Sequence, residues 1–467
     1  MSMINNALSG AQASQAALST ASQNIANVMT PGYSRQGVLL NSRQTNASGA
    51  GSGAGVTVTA LMRFNDSFKN MQMWSAASNL GKANAPQAYL DQLEQVMSDD
   101  TSNVNKGMDV FFAALNAASV QPDSRPLREQ VLIAADGLAK RFNSLQTLLK
   151  NQIEAVGDQR NSVLLKVNTL SSEIAALNAK ISAAQAIGVP PAGLMDARDQ
   201  RIDSLAGLVG LQVTNQADGS CNVSFKNGQP LVIGNESATL TQVGSGTPGV
   251  HTLQLDFASA RFNVAGEDLG GELGGLDDFE RQCLIPTQQT VFELAKGIAN
   301  NFNTTLGAGV APVPSPAGNA LFIAPTKPGE SLQLTALKAD ELAFAASGQG
   351  VGDSQNLAAL IALKDQKLTF TDFDAKGNAL ATTSSVLMSD AYTQMVGKVG
   401  TVSQLNIGAQ KTAQTVRDQA DASWKSTSGV NTDEEATNLI QYQQMYQANM
   451  KVISVANQLF DATLAAI

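Results

Sequence analysis

Few residues of this chain have the types and spacing that catalysis requires. The only histidine, His251, lies in an alternating apolar and polar stretch with no acidic or serine partner at a recognisable spacing, so we expect a structural or surface role for it. Cys221 and Cys283 have neither a second cysteine nor a histidine at a metal-ligand spacing, and we expect both to be buried as small apolar residues. The sequence therefore predicts no catalytic residue.

Two acidic runs, at residues 98–100 and 433–435, could suggest a cation site. The first is expected in a loop. The second is expected at the start of a helix, where Thr432 and Glu435 would form a capping box and the neighbouring acids would favour the helix dipole. We therefore predict no metal site and no cofactor.

Composition excludes several classes of partner. The chain has 467 residues and a net charge of -9, which argues against nucleic acid or an anionic membrane surface. No apolar run approaches the length of a membrane span. The first basic residue is Arg35, so the start lacks the basic region of a secretory leader. We expect neither membrane insertion nor export through a cleaved leader.

Both ends of the chain carry a heptad pattern. Apolar residues recur every seven positions over residues 3–29, and they follow a spacing of three and four from the start of the last helix to the final residue. This predicts two amphipathic helices whose seams form an assembly interface. The predicted interface residues are Ile4, Leu8, Leu18, Ile25, Leu439, Tyr442, Tyr446, Ile453, Phe460 and Ile467.

Charge is almost absent from these two segments. Residues 1–34 hold no charged side chain, and residues 438–467 hold only Lys451 and Asp461. A free-standing coiled coil normally carries Glu and Lys beside its seam, so little charge solubilises these helices. We expect them to become ordered when neighbouring subunits surround them, which indicates a polymer with both termini at its core.

The middle of the chain changes from helix to strand. Apolar residues from Leu149 to Ile181 keep a heptad spacing that only Arg160 interrupts, which predicts a rod of about forty residues and roughly 60 Å. Residues 205–276 alternate apolar and polar positions around two hairpin turns, Asp218–Gly219 and Asn227–Gly228. The predicted fold class is mainly α with inserted β: a long helical bundle or coiled coil formed by the N- and C-terminal regions, plus a small β-rich domain in the middle.

Other helices are expected over residues 85–119, with a break near Pro86, and again over residues 354–364 and from about 388 onward. The first helix should end near Val28 or Met29, because Pro31 disfavours a helical Thr30 and Gly32 supplies the positive φ of a type II turn.

Several stretches resemble the rod, hook and hook-associated axial proteins of the bacterial flagellum. SQNIANVMTPGYSRQ resembles their N-terminal signature, and GVNTDEEATNLIQYQQMYQANMKVISVANQLFDATL resembles their C-terminal one. Internal stretches such as LMDARDQRIDSLAGLVG agree as well. In the N-terminal signature, the matching positions of the turn motif are Asn24, Asn27, Pro31, Gly32 and Tyr33.

The resemblance implies a non-enzymatic junction protein that connects hook to filament, with the terminal helices paired in an inner domain. Only about fifty residues separate Asn303 from the helix near residue 354, where larger members carry an outer domain. The implied domains are 1–60 with 430–467 as the inner coiled coil, 61–204 with 277–305 and 354–429 as the helical rod domain, 205–276 as the inserted β-rich domain, and 306–353 as a short remnant of the outer domain.

The resemblance also implies partners and a location. The partners would be other copies in a ring, the hook protein, hook-associated protein 3 and a flagellar export chaperone, with no nucleic acid. The chain would leave the cell through the flagellar type III channel without cleavage. An alternative in the same class is hook-associated protein 3 or another axial protein. A different class is a secreted enzyme carried on flagellar export, which the lack of a convergent His, Cys, acid or metal motif disfavours.

Overall fold

The computed structural model describes residues 2–43, 53–244, 251–264, 266, 269–314, 320–374 and 376–465. Helices make up 64% of the chain, and a small sheet region lies in the middle, which confirms the predicted fold class. The helices are α1 (Ser2–Ala26), α2 (Ser67–Ser98), α3 (Val104–Val120), α4 (Arg125–Ala186), α5 (Ala192–Leu208), α6 (Gly271–Phe279), α7 (Ile285–Gly307), α8 (Gln355–Ala362), α9 (Met388–Ser428) and α10 (Thr432–Ala465).

All strand pairs within the described sheets are antiparallel. The strands form hairpins β1–β2, β10–β11 and β12–β13, a four-stranded sheet in the order β3-β4-β5-β6, and a three-stranded sheet in the order β7-β8-β9. Their bounds are β1 (Gln36–Ser42), β2 (Val56–Arg63), β3 (Leu211–Asn215), β4 (Cys221–Phe225), β5 (Pro230–Ile233), β6 (Glu236–Ser237), β7 (Thr239–Gly244), β8 (His251–Phe257), β9 (Ala260–Val264), β10 (Phe322–Ile323), β11 (Gln333–Leu334), β12 (Lys367–Phe373) and β13 (Ala379–Leu387).

The rod α4 is longer than its heptad pattern predicts. It has 62 residues, so a rise of 1.5 Å per residue makes it about 93 Å long. It begins at Arg125, after a non-helical stretch at residues 121–124. The predicted seam is its buried face, with Leu149, Val156 and Val163 fully inaccessible to solvent. Arg160 keeps the register because its guanidinium is also buried, where it forms an ion pair with Glu280.

Pro86 does not break a helix, contrary to the prediction, and α2 runs through it. Proline has no N–H, so it cannot bond the carbonyl of Lys82, four residues earlier. The glycine backbone of α6 packs against that carbonyl: a Cβ atom on Gly275 would lie 2.2 Å from the Lys82 oxygen. Tertiary packing therefore covers the backbone group that the proline leaves unbonded.

The inserted β region folds against the second half of α4. The two predicted turns are confirmed: Gly219 and Gly228 have positive φ values of 80° and 87° between paired strands. Asn178 of α4 is buried and donates to the carbonyls of Cys221 and Gly234 at 2.8 and 2.7 Å. These bonds attach the four-stranded sheet to the rod.

The hairpin β12–β13 lies between α8 and α9, which are the helices that the sequence predicts at residues 354–364 and from about 388 onward. Thr371 of β12 donates its backbone N–H to Glu293 of α7 at 2.9 Å. The alternation in KLTFTDF was the signal available in the sequence. Residues 306–353 contain the short β10–β11 pair in their described part.

Candidate assembly surface

Small side chains bring α1 and α10 close together. A Cβ atom on Gly10 would lie 2.7 to 2.9 Å from the amide atoms of Asn449, so the two helices meet at this position. The buried residues of α1 are small or polar, and they are Ala7, Ala11, Ala13, Ser14, Ala17, Thr20, Ala21 and Asn24. The terminal helices therefore pair within a single chain.

The predicted seam of α10 is its least exposed stripe. Leu439, Tyr442, Tyr446 and Ile453 are half-buried, and Ala456 in the same register is buried. Phe460 is 63% exposed, and Ile467 lies outside the described residues. Since Asn449 belongs to this stripe and contacts Gly10, the seam faces α1.

The predicted stripe of α1 is not the face that it buries. Ile4, Leu18 and Ile25 are half-buried, and Leu8 is exposed. Only Ala11 belongs both to that heptad and to the buried set. The prediction followed the largest apolar side chains, whereas the helix pair buries the smallest ones. The larger residues remain available on the outside of the pair.

A second apolar stripe runs along α10 beside the seam. Its members follow a spacing of three, four, three and four, and they are Met445, Ala448, Val452, Val455 and Leu459. The four large ones are between 36% and 58% exposed. We call this set the outer stripe. Contiguous exposed apolar surface of this kind marks a site of protein interaction.

The turn motif ends α1 close to where the sequence predicts. The helix stops at Ala26, and the chain then turns, with the Tyr33 N–H donating to the Thr30 carbonyl at 3.2 Å. Gly32 has a φ of 75°, as predicted for the third position of a type II turn. Asn27 supports the turn, because its Oδ1 accepts from the Thr30 hydroxyl at 3.2 Å.

Asn24 fastens the chain after the turn back onto α1. Its Oδ1 accepts from the Tyr33 hydroxyl at 2.9 Å and from the Gln36 N–H at 3.0 Å, and its Nδ2 donates to the Gln36 carbonyl at 2.9 Å. Burial, with the nearby charges of Asp196 and Glu435, raises the pKa of Tyr33 to about 12. The phenol therefore remains a hydrogen-bond donor across the physiological range.

Asp196 of α5 joins the turn to the helical body, and the sequence analysis missed it. Its carboxylate accepts from the Ser34 N–H at 3.2 Å and from Arg63 Nε at 2.7 Å. Arg63 also donates to Asp199 at 2.9 Å. Burial raises the pKa of Asp196 above its usual value, even though the charge of Arg63 opposes that rise.

The start of α10 differs from the predicted capping box. Asn431 is the cap: its Oδ1 accepts from the N–H groups of Asp433 and Glu434 at 3.0 and 3.4 Å. Thr432 is already helical. Glu435 accepts instead from Arg35 at 2.6 Å, so its carboxylate bonds a residue of the turn segment. The carboxylate of Glu435 therefore bonds the distant Arg35 and not the backbone at the start of α10.

The candidate chemical groups lie in inert surroundings. Burial raises the pKa of the Cys221 thiol to about 11 and that of the Cys283 thiol to about 12, so both stay protonated at neutral pH. Asp99, in the first acidic run, accepts from the Thr101 N–H at 2.8 Å and shapes a turn. His251 opens β8, and the expectation about its side chain lies outside the described part of the chain.

Among the described residues, no His, Cys, Asp or Glu side chains gather into a group of three that could hold a metal ion. A groove of about 650 Å³ lies between α2, α6 and α9, where Leu90, Cys283 and Leu405 contribute to its lining. None of the helices in the described ranges combines the length and apolar character needed to cross a membrane.

Three family models match parts of the chain. The model described as "Flagellar hook-associated protein FlgK helical domain" matches residues 90–322. "Flagella basal body rod protein" matches residues 4–33, and "Flagellar basal body rod FlgEFG protein C-terminal" matches residues 426–466. The two shorter matches coincide with the paired terminal helices.

Curated relatives named flagellar hook-associated protein 1 match nearly the whole chain. The Escherichia coli K12 protein is 26% identical over 543 residues, and the Salmonella typhimurium protein is 28% identical over 548 residues. Each alignment covers 99% of this chain and 99% of the relative. The Bacillus subtilis protein is 24% identical and covers 97% of this chain and 95% of its own length.

A solved structure shares the fold. It is titled "The structure of the flagellar hook junction protein FlgK from Burkholderia pseudomallei", and its TM-score with this chain is 0.66 at 15% sequence identity. The match covers 76% of this chain and 100% of the solved one.

Proposed function

We infer how this chain works from the premise that it belongs to the flagellar hook-associated protein 1 family. It is a structural component of the bacterial flagellum, at the junction of hook and filament. It assembles with other flagellar axial proteins. We propose that the terminal helix pair is the part that packs against neighbouring axial subunits, as an interface already folded within each chain.

The outer stripe of α10 carries this proposal. Val452 and Val455 are 36% and 41% exposed in the isolated chain, in the stretch 438–467, which holds only Lys451 and Asp461 as charged residues. Burial of apolar surface contributes roughly 25 cal/mol per Å². Contact between the outer stripe and a neighbouring subunit would therefore stabilise an assembly without any ion pair.

The intrachain pairing changes one expectation from the sequence. Order in α1 and α10 need not wait for neighbouring subunits, because each helix already has the other as a partner through Gly10 and Asn449. The surface that a copy offers to its neighbours is therefore the outside of a helix pair. That surface includes Leu8 of α1 and the outer stripe of α10.

The arrangement of copies follows from the kind of contact. A surface that meets a different surface on the next copy makes a head-to-tail interface, which closes into a ring when the rotation allows it. We propose such a ring, with the hook protein on one side and hook-associated protein 3 on the other. We also propose an export chaperone, passage through the flagellar type III channel without cleavage, and an extracellular location. The family resemblance supports these assignments.

A role without catalysis agrees with the chemistry of the chain. Cys221 and Cys283 are held as buried neutral thiols, and the curated relatives are named flagellar hook-associated protein 1. We therefore propose that the chain is not an enzyme. The alternative of an enzyme carried on flagellar export would place its active site in the β region, around residues 205–276.

The short segment at residues 306–353 supports the predicted loss of an outer domain. The E. coli alignment spans 543 residues and the Salmonella alignment 548, whereas this chain has 467, so the relatives contain insertions that it lacks. We propose that residues 306–353, with the small β10–β11 pair, occupy the place of the missing part.

Replacing Val452 and Val455 by aspartate tests the proposal. The double variant should keep the α1–α10 pair, because neither side chain is buried, but it should lose incorporation into flagella and motility in a strain that lacks the native chain. Gln443→Asp is the matched control, since it adds charge to an exposed position on another face of the same helix. Normal incorporation of Val452→Asp/Val455→Asp would refute the proposed interface.

A further inference from the structure

Two chain segments connect the terminal helix pair to the helical body. One runs from Phe64 to Asp66 between β2 and α2, and the other runs from Gly429 to Asn431 between α9 and α10. Short connections of this kind allow one part of a molecule to swing against another unless side chains hold them. The angle between the pair and the body therefore depends on what bridges the two connections.

Arg35 bridges both connections through its backbone. Its N–H donates to the carbonyl of Ser428, the last residue of α9, at 2.8 Å. Its carbonyl accepts from the N–H of Phe64 at 2.9 Å. One residue of the turn segment thus ties together the two places where the chain leaves the body.

The side chain of Arg35 extends this bridge to α10. Its Nε donates to Glu435 at 2.6 Å and its Nη1 donates to Glu434 at 2.9 Å, while its guanidinium carbon lies 5.3 Å from the ring centroid of Phe64. The Glu435 side chain is only 3% exposed, whereas that of Glu434 is 58% exposed. Burial limits screening by solvent, so the bond to Glu435 is the stronger of the two.

We propose that Arg35 is the positioning residue that fixes the angle of the terminal helix pair relative to the helical body. This inference rests on the proposed function, because that angle decides where the outer stripe of α10 meets the next copy. Glu435 is its main partner, and the ring of Phe64 packs against the guanidinium. Lysine cannot replace the planar, forked guanidinium of Arg35, since an ammonium group offers a point charge without fixed directions.

The test measures the angle in the unassembled chain. Thr415→Cys on α9 and Gln447→Cys on α10 are exposed positions for spin labels, and the helical rise keeps them within about 60 Å of each other. Pulsed electron spin resonance then reports the distribution of distances between them. Cys221 and Cys283 are buried and need not be removed.

Arg35→Ala and Glu435→Gln should each broaden the distribution of label distances at least twofold. Arg35→Lys should give a width between that of the native chain and that of Arg35→Ala. The exchange Arg35→Glu/Glu435→Arg should narrow it again. Arg43→Ala, which removes an exposed arginine from the same terminal region, should leave the native width. A merely stabilising role would lower the unfolding temperature in Arg35→Ala without widening the distances of the folded chain.

A native width in both Arg35→Ala and Glu435→Gln would overturn the proposal. If Arg35→Ala does not fold, Glu435→Gln alone decides, because it leaves the backbone bridge of residue 35 intact. The measurement needs no assembly, so its outcome is independent of the Val452→Asp/Val455→Asp test. Normal incorporation of Val452→Asp/Val455→Asp, together with a broadened distance distribution in Glu435→Gln, would refute the proposed interface and leave Arg35 as the positioning residue.

Discussion

The amide of Asn449 lies over Gly10, at 2.7 to 2.9 Å from the position that a Cβ atom of residue 10 would occupy. An asparagine in a heptad seam fixes the register of a helix pair at some loss of stability. Here the glycine provides the space that the amide needs. The two residues together define how far α10 can slide along α1.

Gly10→Ala should therefore destabilise the terminal pair. In an exposed helix the same change would stabilise by about 0.5–1 kcal/mol, because alanine is the better helix former. Overpacking against Asn449 should reverse the sign and cost about 1–3 kcal/mol. Hydrogen exchange of α1 measures the change, and Gly10→Ala/Asn449→Ala should recover protection. Gln12→Ala, at an exposed position, is the control. Greater hydrogen-exchange protection of α1 in Gly10→Ala than in the native chain would show that residue 10 does not contact Asn449.

Charges introduced into the seam of α10 should separate the terminal helices. Tyr446→Glu/Ile453→Glu places two carboxylates on the face that meets α1, where desolvation opposes them. We expect loss of hydrogen-exchange protection in α1 and α10, loss of incorporation into flagella, and native protection in α4, whose core is separate. Incorporation of this double variant at the native level would contradict the prediction that the α10 seam is needed for assembly. Gln443→Glu provides the comparison.

Glu280→Gln should destabilise the helical body by about 3–5 kcal/mol, because it removes the carboxylate that pairs with the buried guanidinium of Arg160. Urea denaturation measures the effect. The control is Asp136→Asn on α4, the helix of Arg160, which breaks an exposed pair with Lys140 and should cost less than about 1 kcal/mol. Arg160→Met/Glu280→Leu should recover most of the stability. A cost below 1 kcal/mol for Glu280→Gln would place the pair in contact with solvent.

The buried thiols predict a pH dependence in the alkaline range. Cys221 and Cys283 have an ordinary pKa of 9.0 and native values of about 11 and about 12. Above pH 9 the unfolded chain releases these protons first, so their contribution to stability is present below pH 9 and is lost as pH rises through the native values. Iodoacetamide should leave both unmodified at pH 9 until denaturant is added. Cys221→Ala/Cys283→Ala should lose less stability between pH 8 and about 11 than the native chain. Rapid alkylation of the folded chain would contradict this.

Local periodicity explains why much of the fold could be predicted. The seam of α4 repeats every seven residues and the hairpin turns carry Asp-Gly and Asn-Gly, so neighbouring residues contain the information. The partner of Arg160 is 120 residues away, and that of Arg35 is 400 residues away. No local rule finds such pairs, although the charged run at residues 433–435 was visible.

The face of α1 that packs against α10 could not be predicted for a different reason. A hydrophobic-stripe rule selects Leu8 and Ile25, whereas close helix packing selects glycine and alanine. Only the position of α10 reveals which face of α1 is inside. Pro86 is a similar case, because the residue that covers the unbonded carbonyl, Gly275, belongs to a distant helix.

The contact between Gly10 and Asn449 also joins the two extremes of the chain. Closing so long a loop costs more entropy than closing a local one, although the cost grows only with the logarithm of its length. The helix pair cannot form until the last helix is free to meet the first. A chain that lacks its last helix presents no outer stripe beside α1. The interface therefore depends on the two ends of the chain having folded against each other.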